Sequence, residues 1–226
     1  METNSVIEKF FSREYESCIN EKMLMYSYEF PTEEILQYVS EINSIPIDVY
    51  LEMAKKYGDG DLITAKDVFQ FSNFNSATVK ICEVIKKENN PGVSLFEAGK
   101  LLLQDGVERK KTAYIKYGEN QLKSAEILGL LFEMAHTYFL SCLGYIINDL
   151  DQNAQKQLLL RCLLRSKLIS KLFAATHNGD VDLRQFLYML SESTYNRRIS
   201  NLLHIFQIMN DFNEYDFSQY FSKIKR

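Results

Sequence analysis

Residues 118–150 constrain the fold of this chain more than any other stretch. An apolar side chain recurs there at every third position, which predicts a helix with one buried side that starts near Gly118. The recurring residues are Leu122, Ala125, Leu128 and Leu131. The period then changes, because residues 137–140 are the β-branched and aromatic types that are typical of a strand. Ser141 follows as a candidate N-cap, so the stretch predicts a helix, a strand and a second helix.

This order of elements is the one expected of a winged helix, with a recognition helix over residues 119–131 and a short wing. The first turns of that helix carry polar side chains that face away from its apolar side. We predict that they contact DNA: Asn120, Gln121, Lys123 and Ser124. A contact with another protein stays open, because winged-helix surfaces also serve that purpose.

Composition limits the fold class. A chain of 226 residues can hold one large domain or two small ones, and 9 glycines with 3 prolines are too few for an all-β fold with many turns. The sequence therefore predicts a mostly α protein: tandem winged helix-turn-helix units with an N-terminal helical extension. The four cysteines, expected as buried reduced thiols, and the lack of a signal peptide or membrane segment predict a cytoplasmic protein.

The formal net charge of −4 is distributed unevenly. Residues 1–60 carry 5 Lys and Arg against 12 Asp and Glu, whereas residues 151–210 carry 8 against 4. A further basic cluster stands at residues 109–111. Because nucleic-acid binding depends on the local field, the acidic total does not exclude DNA as a partner. The acidic N-terminal part predicts a protein-contact surface.

Breaks in the pattern predict three regions. We expect an acidic helical region over residues 1–61, a first winged-helix unit with its preceding helices over 62–150, and a second winged-helix-like unit with a tail over 151–226. The segment 58–61 begins like a calcium loop but lacks the later oxygen ligands, so we expect a plain turn. The polar stretch 86–92 is another candidate boundary.

The second unit is predicted from a repeat. Residues 191–198 echo residues 118–125, and an apolar run follows in both cases. The second helix carries the side chains best suited to phosphates and base edges. We predict that they contact DNA: Thr194, Asn196, Arg197, Arg198, Ser200 and Asn201. The alternative is an ordinary solvated helix whose arginines pair with nearby carboxylates.

Two neighbouring features allow more than one interpretation. The basic side of a long helix expected over residues 152–173 is either a solvated face or a track along a phosphate backbone. Its members are Lys156, Arg161, Arg165, Lys167 and Lys171. The aromatic tail after Asp211 could be part of the core, a clamp on the second unit or a strip that binds a partner. We expect it to be packed, because exposed aromatic rings are costly.

Two segments also carry a family resemblance. A Leu-Gly-Leu turn at residues 128–130 precedes Tyr-Phe-Leu-Ser-Cys-Leu-Gly at 138–144, and Ser-Thr-Tyr-Asn-Arg-Arg stands at 193–198. In these segments the chain resembles, over about residues 62–210, the tandem winged-helix modules attached to bacterial restriction endonucleases and related defence proteins. The resemblance implies a DNA-binding protein of a restriction or antiphage system. Such proteins usually carry a nuclease domain, and the sequence shows none.

No catalytic residue, metal or cofactor is expected. A metal-dependent nuclease needs a carboxylate and an acidic-x-Lys pair on neighbouring strands, whereas Glu52, Lys55 and Asp61 belong to predicted helix and turn segments. The three histidines have no ligand partners at helical spacing, and no glycine-rich phosphate loop is present. They are His136, His177 and His204.

Three functions follow from these observations. The first is a non-enzymatic protein that binds double-stranded DNA and positions a separately encoded effector, such as a nuclease or ATPase subunit. The second is an adaptor subunit of a multi-protein complex that uses tandem winged helices as a scaffold. The third is a restriction-type nuclease with an unrecognised active site.

Overall fold

A computed structural model describes residues 3–25, 31–58, 62–87 and 92–226. Of the turn predicted at 58–61, Gly58 is the last residue of α4, and residues 59–61 lie outside the described residues, as do residues 88–91 of the predicted boundary. The described chain is mostly helical, as the sequence predicts, and it contains two small sheets. Within those ranges no helix combines the length and the apolar character that crossing a membrane requires.

The described residues form helices and short strands along the chain. The first elements are α1 (Thr3–Ser12), α2 (Glu14–Met25), α3 (Thr32–Ser44), α4 (Ile47–Gly58), a 3₁₀ helix (Ala65–Asp67), α5 (Val79–Lys87), β1 (Gly92–Val93), α6 (Leu95–Leu102) and α7 (Lys111–Leu128). The next are β2 (Leu131–Met134), β3 (Thr137–Leu140), α8 (Cys142–Ile146), α9 (Gln152–Arg165), α10 (Lys167–His177), β4 (Val181–Asp182), α11 (Leu183–Phe186), α12 (Glu192–Asp211), α13 (Ser218–Phe221) and β5 (Ile224–Lys225).

These elements form two compact units, each assembled from separate segments of the chain. Unit 1 comprises Met1–Ser12, Glu41–Phe69 and Lys156–Arg226, and unit 2 comprises Arg13–Ser40 and Gln70–Gln155. This partition differs from the three regions that the sequence predicts. Whether those regions fold independently stays a prediction.

Unit 2 is built on α6 and α7, which cross at close range. A Cβ atom on Gly99 would lie 2.0 Å from the carbonyl oxygen of Tyr114, and one on Gly118 would lie 2.0 Å from that of Leu95. Only glycine permits backbones to approach this closely. Gly118 therefore lies inside α7 and serves helix packing, so the sequence-based placement of the helix start at Gly118 is wrong.

A three-stranded antiparallel sheet follows α7, with the strand order β1-β3-β2. The predicted strand at 137–140 is confirmed as β3. The predicted helix, however, ends at Leu128, because Gly129 adopts a φ of 79° and forms its left-handed C-cap. Leu131 consequently belongs to β2, a strand that the sequence pattern does not predict. Ala135 and His136, both at positive φ, form the two-residue turn between β2 and β3.

Local caps hold the ends of these helices. Ser141 is the N-cap of α8, as predicted: its Oγ accepts from the Gly144 N–H at 3.0 Å and donates to the Gly129 carbonyl at 2.7 Å. The Arg13 guanidinium donates to the Ile127 carbonyl at 2.7 Å. The last carbonyl groups around the end of α7, which have no partners inside the helix, are thereby satisfied.

In unit 1, α10 packs along α4, and two arginines of α9 are buried beside them. Arg161 is 3% exposed, and its guanidinium donates to the carbonyls of Ile42, Asn43 and Ile45 at the end of α3. Arg165 likewise donates to a backbone carbonyl at 2.8 Å. Neither arginine lies on a solvated face, so that interpretation is wrong for both.

The C-terminal part of unit 1 is packed, as expected. The Phe173 and Tyr220 rings stack at 4.7 Å, Phe217 is fully buried, and β5 pairs in parallel with β4. The long helix predicted over 152–173 is divided at Ser166 into α9 and α10. Among the cysteines, Cys18 is exposed, contrary to expectation, because it lies on the outer side of α2.

Candidate nucleic-acid interface

The predicted contact residues of α12 lie on its first turns and differ in exposure. Asn196, Arg197 and Ser200 are exposed, whereas Thr194, Arg198 and Asn201 are half-buried. The Arg197 guanidinium donates to its own helix, to the Ser193 carbonyl at 3.3 Å and to the Thr194 hydroxyl at 3.4 Å. The structure thus brings this set together on one helix, and Arg197 is its exposed cation.

Arg198 points elsewhere. Its guanidinium donates to the carbonyl oxygens of Ala65 and Val68, the latter at 3.2 Å, which flank the 3₁₀ helix of unit 1. A guanidinium occupied by backbone acceptors is not available to a phosphate. The start of α12 also carries the carboxylate of Glu192, which pairs with Arg184 at 3.1 Å. The end of α12 that would face DNA is therefore less cationic than its sequence indicates.

The predicted contact residues of α7 occupy the second half of the helix, because α7 begins at Lys111 and not near 119. Gln121 is fully buried and Ser124 is 1% exposed, which corrects the prediction that they contact DNA. Both lie on the side of α7 that faces the core. Asn120 and Lys123 are half-buried, and Lys123 pairs with Glu119 at 2.6 Å.

The start of α7 is a cationic surface of unit 2. Lys110 occupies the N-cap position without a side-chain cap, and the first turn contains no acidic residue. The unbonded N–H groups and the helix dipole make such an end attractive to anions. Lys100, Lys110 and Lys111 are exposed, and none of the three forms a salt bridge with another described residue. These three lysines and the first turn of α7 are called the α7 basic surface.

The loop between α6 and α7 is held in one conformation. The Arg109 guanidinium donates to the Asp105 carboxylate at 2.6 Å and to the Val107 carbonyl at 3.0 Å. The neighbouring Arg109 lowers the pKa of Asp105 to about 2. Tyr114 closes the loop, because its hydroxyl accepts from the Arg109 N–H at 3.3 Å and donates to the Val107 carbonyl at 3.2 Å. Arg109 is neutralised, and it shapes the loop that presents Lys110.

Two carboxylates lie near the opposite end of α7, where the Arg13 guanidinium also binds the last carbonyl groups. Burial, followed by the nearby Glu133, raises the pKa of Glu126. Burial also raises the pKa of Tyr138 to about 12, with further contributions from Glu126, Glu133 and Glu119. Since α7 is cationic at its start and acidic towards its end, a polyanion is attracted to the start alone.

The basic cluster at residues 109–111 is visible in the sequence, but the sequence pattern does not assign it to the helix. With a helix start predicted at Gly118, the lysines fall in a preceding segment. The available signal was the run from Arg109 to Lys116, which contains four basic residues and no acidic one. A continuous helix through Gly118 would have placed that run on its first two turns.

Unit 1 also contains an open polar cleft of about 460 Å³. Its lining residues are Asn210, Asn213, Glu214, Tyr215, Asp216 and Ser218. The Glu214 carboxylate accepts from Arg161 at 2.7 Å, and the Asp216 carboxylate accepts from the Ser218 N–H at 2.9 Å. Its two carboxylates thus serve the local structure.

Comparison with protein-family models, with curated proteins and with solved structures finds no match for this chain. Within the part of the chain that the structure describes, no group of three or more His, Cys, Asp or Glu residues could hold a metal ion.

Proposed function

We propose that this chain binds double-stranded DNA and that the α7 basic surface is the contact. The order of elements in unit 2 supports this proposal. Helix α5, strand β1, helices α6 and α7 and the hairpin of β2 and β3 follow one another as in a winged helix, and β3 lies between β1 and β2. In that arrangement α7 is the recognition helix and the β2–β3 hairpin is a short wing.

The observation that carries the proposal is the charge at the start of α7. An uncapped helix N-terminus binds phosphate oxygens through its free N–H groups and its dipole. Lys100, Lys110 and Lys111 add three positive charges that other described residues do not neutralise. Each lysine that replaces a counterion on DNA contributes to affinity and makes binding depend on salt. The overall charge of −4 does not oppose this contact, since its acidic groups are concentrated elsewhere.

A second contact is proposed for α12. The order of α10, β4, α11 and α12 repeats that of α5, β1, α6 and α7, which supports a tandem arrangement. The two halves differ after the long helix, because β4 pairs in parallel with β5 and no hairpin follows α12. Arg197, Asn196 and Ser200 are retained as contacts of this second helix, and Arg198 is not.

The biological role is proposed from the resemblance to restriction-associated modules. A chain that binds DNA without its own nuclease centre would position a separately encoded effector of a bacterial defence system. The competing adaptor role is favoured by the acidic end of α7 and β2, where Glu133 and the 46% exposed Met134 offer a protein-binding edge. The two roles differ in whether the α7 basic surface binds DNA.

Removal of two lysines tests the proposal. We expect Lys110→Ala with Lys111→Ala to weaken binding to a short fluorescent duplex about tenfold or more at low salt. The salt dependence should also become shallower by about two phosphate contacts, because each contact contributes about 0.9 to the slope. Fluorescence anisotropy over a salt series measures both quantities.

Lys55→Ala with Lys66→Ala is the matched control. It removes the same charge from two exposed lysines of unit 1 that, like Lys110 and Lys111, form no salt bridge with another described residue, and we expect it to leave the slope unchanged. Equal effects of the two double variants would mean that only total charge matters. If the wild-type chain binds no duplex at low salt while it co-purifies with a protein encoded by a neighbouring gene, the adaptor role replaces DNA binding.

A further inference from the structure

Two lysines of the α7 basic surface meet at one aromatic ring. The Lys111 ammonium lies 5.5 Å from the centroid of the Phe96 ring, and the Lys100 ammonium lies 5.6 Å from it. Phe96 is half-buried in the first turn of α6. An ammonium group this close to a ring is attracted by the negative face of the ring's quadrupole. The Phe96 ring thus lies close to one ammonium group from α6 and one from α7.

The ring itself is held in place. It meets the ring of Tyr114 edge-on, with the centroids 6.0 Å apart. Tyr114 is in turn bonded through its hydroxyl to the backbone of Val107 and Arg109 in the α6–α7 loop. The crossing of α6 and α7 at Gly99 and Gly118 fixes the distance between the two helices. Phe96 is therefore a rigid platform.

A rigid platform matters because lysine is flexible. A lysine that binds a phosphate loses rotamer freedom, and this loss opposes binding. Lys100 and Lys111 have no carboxylate partner among the described residues, so the ring is the group that restricts them before a ligand arrives. Pre-organisation of this kind strengthens binding by reducing the entropy lost in the complex.

We propose that Phe96 is a positioning residue of the DNA-binding surface, whose ring holds the Lys100 and Lys111 ammonium groups ready for two backbone phosphates. This inference rests on the proposed function. It names phosphodiester oxygens as the groups that these two lysines bind, so Phe96 affects all duplex sequences alike. Phe96 acts through the lysines and contributes no charge of its own.

Ring-free and ring-bearing variants test this role. Phe96→Leu is expected to weaken duplex binding about five- to tenfold at low salt and to make the salt dependence shallower. Phe96→Tyr keeps the ring and should bind like the wild type. Phe132→Leu is the matched control, because Phe132 is a half-buried phenylalanine of the same unit that stacks on Phe139 at 5.6 Å with no described ammonium over it. We expect it to leave the slope unchanged.

A double-mutant cycle separates positioning from packing. In a chain that carries Lys100→Ala and Lys111→Ala, Phe96→Leu should cause no further loss. The same loss in both backgrounds gives Phe96 a packing role only and overturns the inference, while DNA binding by the wild type leaves the proposed function intact. A wild-type chain that binds no duplex overturns both. Thermal unfolding checks each variant, and Phe96→Met replaces Phe96→Leu if the leucine variant does not fold.

Discussion

At the level of single residues, some side-chain arrangements depend only on near neighbours in the sequence, and others depend on burial in the folded protein. Ser94 and Glu97 form a capping box at the start of α6, with the Ser94 N–H donating to the Glu97 carboxylate at 2.8 Å. That arrangement involves residues three positions apart, so the sequence contains all of it. Gln121 is the opposite case. It is fully buried, and neither polar atom of its side chain has a hydrogen-bond partner among the described residues.

Glu126 gives a prediction about pH. Burial and Glu133 raise its pKa, which means that its charged form destabilises the folded state. That cost is present at neutral pH and disappears as the pH falls through the raised pKa towards the unfolded value of about 4.3. We expect Glu126→Gln to be more stable than the wild type at pH 7 and no more stable near pH 4. Chemical unfolding at both pH values measures the difference.

Glu119 on the same helix is the matched control with the opposite sign. Hydrogen bonds from Lys116 and then Lys123 lower its pKa, so its charge stabilises the folded state at neutral pH and the benefit is lost on acidification. Glu119→Gln should therefore be no more stable than the wild type at pH 7. A gain of stability in both variants would indicate a general relief of negative charge and contradict the assigned burial effect.

Among the secondary-structure elements, the close crossing of α6 and α7 determines how unit 2 packs. Gly118→Ala should destabilise the protein by about 3 kcal/mol, because the added methyl group would overlap the Leu95 carbonyl oxygen. Helix propensity alone predicts the opposite sign, since alanine favours a helix by about 1 kcal/mol over glycine. Denaturant unfolding followed by circular dichroism distinguishes the two.

Gly106 provides a graded comparison for that variant. It lies in the α6–α7 loop with a φ of 75°, and a Cβ atom there would meet nothing within 4 Å. Gly106→Ala should cost only about 1 kcal/mol, which is the penalty of a left-handed backbone for alanine. Equal losses at the two positions would show that the close approach of α6 and α7 is not what Gly118 provides.

At the scale of the whole molecule, unit 1 joins segments that are far apart in the chain. Residues 156–226 form part of it together with α1 and α4. Phe10 supplies the carbonyl that accepts from Arg165, and Ile42 supplies one that accepts from Arg161. A fragment that lacks these acceptors leaves two guanidinium groups without them, and such groups are costly to bury.

The fragment of residues 151–226 therefore tests the division predicted from the sequence. We expect it to show no cooperative thermal transition by circular dichroism under conditions in which the full chain unfolds cooperatively. Full-length chain at the same concentration is the control. Cooperative unfolding of the isolated fragment would instead support an independent second winged-helix-like unit.

Much of the secondary structure followed from the sequence, because caps, periodicity and strand composition act between near neighbours. The strand at 137–140 and the cap at Ser141 were predicted on that basis and are confirmed. The exposure of the candidate-site residues was harder to predict from the sequence. Arg198 carries the same charge as Arg197, and only its contact with the carbonyls of Ala65 and Val68 removes it from the exposed surface.

By itself, the sequence determined a mostly helical chain, the caps of its helices and the existence of a basic cluster before Gly118. Each of these depends on residues within a few positions of one another. The tertiary structure alone decided that Gly118 lies inside α7, that Arg161, Arg165 and Gln121 are buried, and that the basic cluster stands at the start of a long helix. Those outcomes depend on the close approach of backbones and on carbonyl groups up to 155 positions away, which no local pattern specifies.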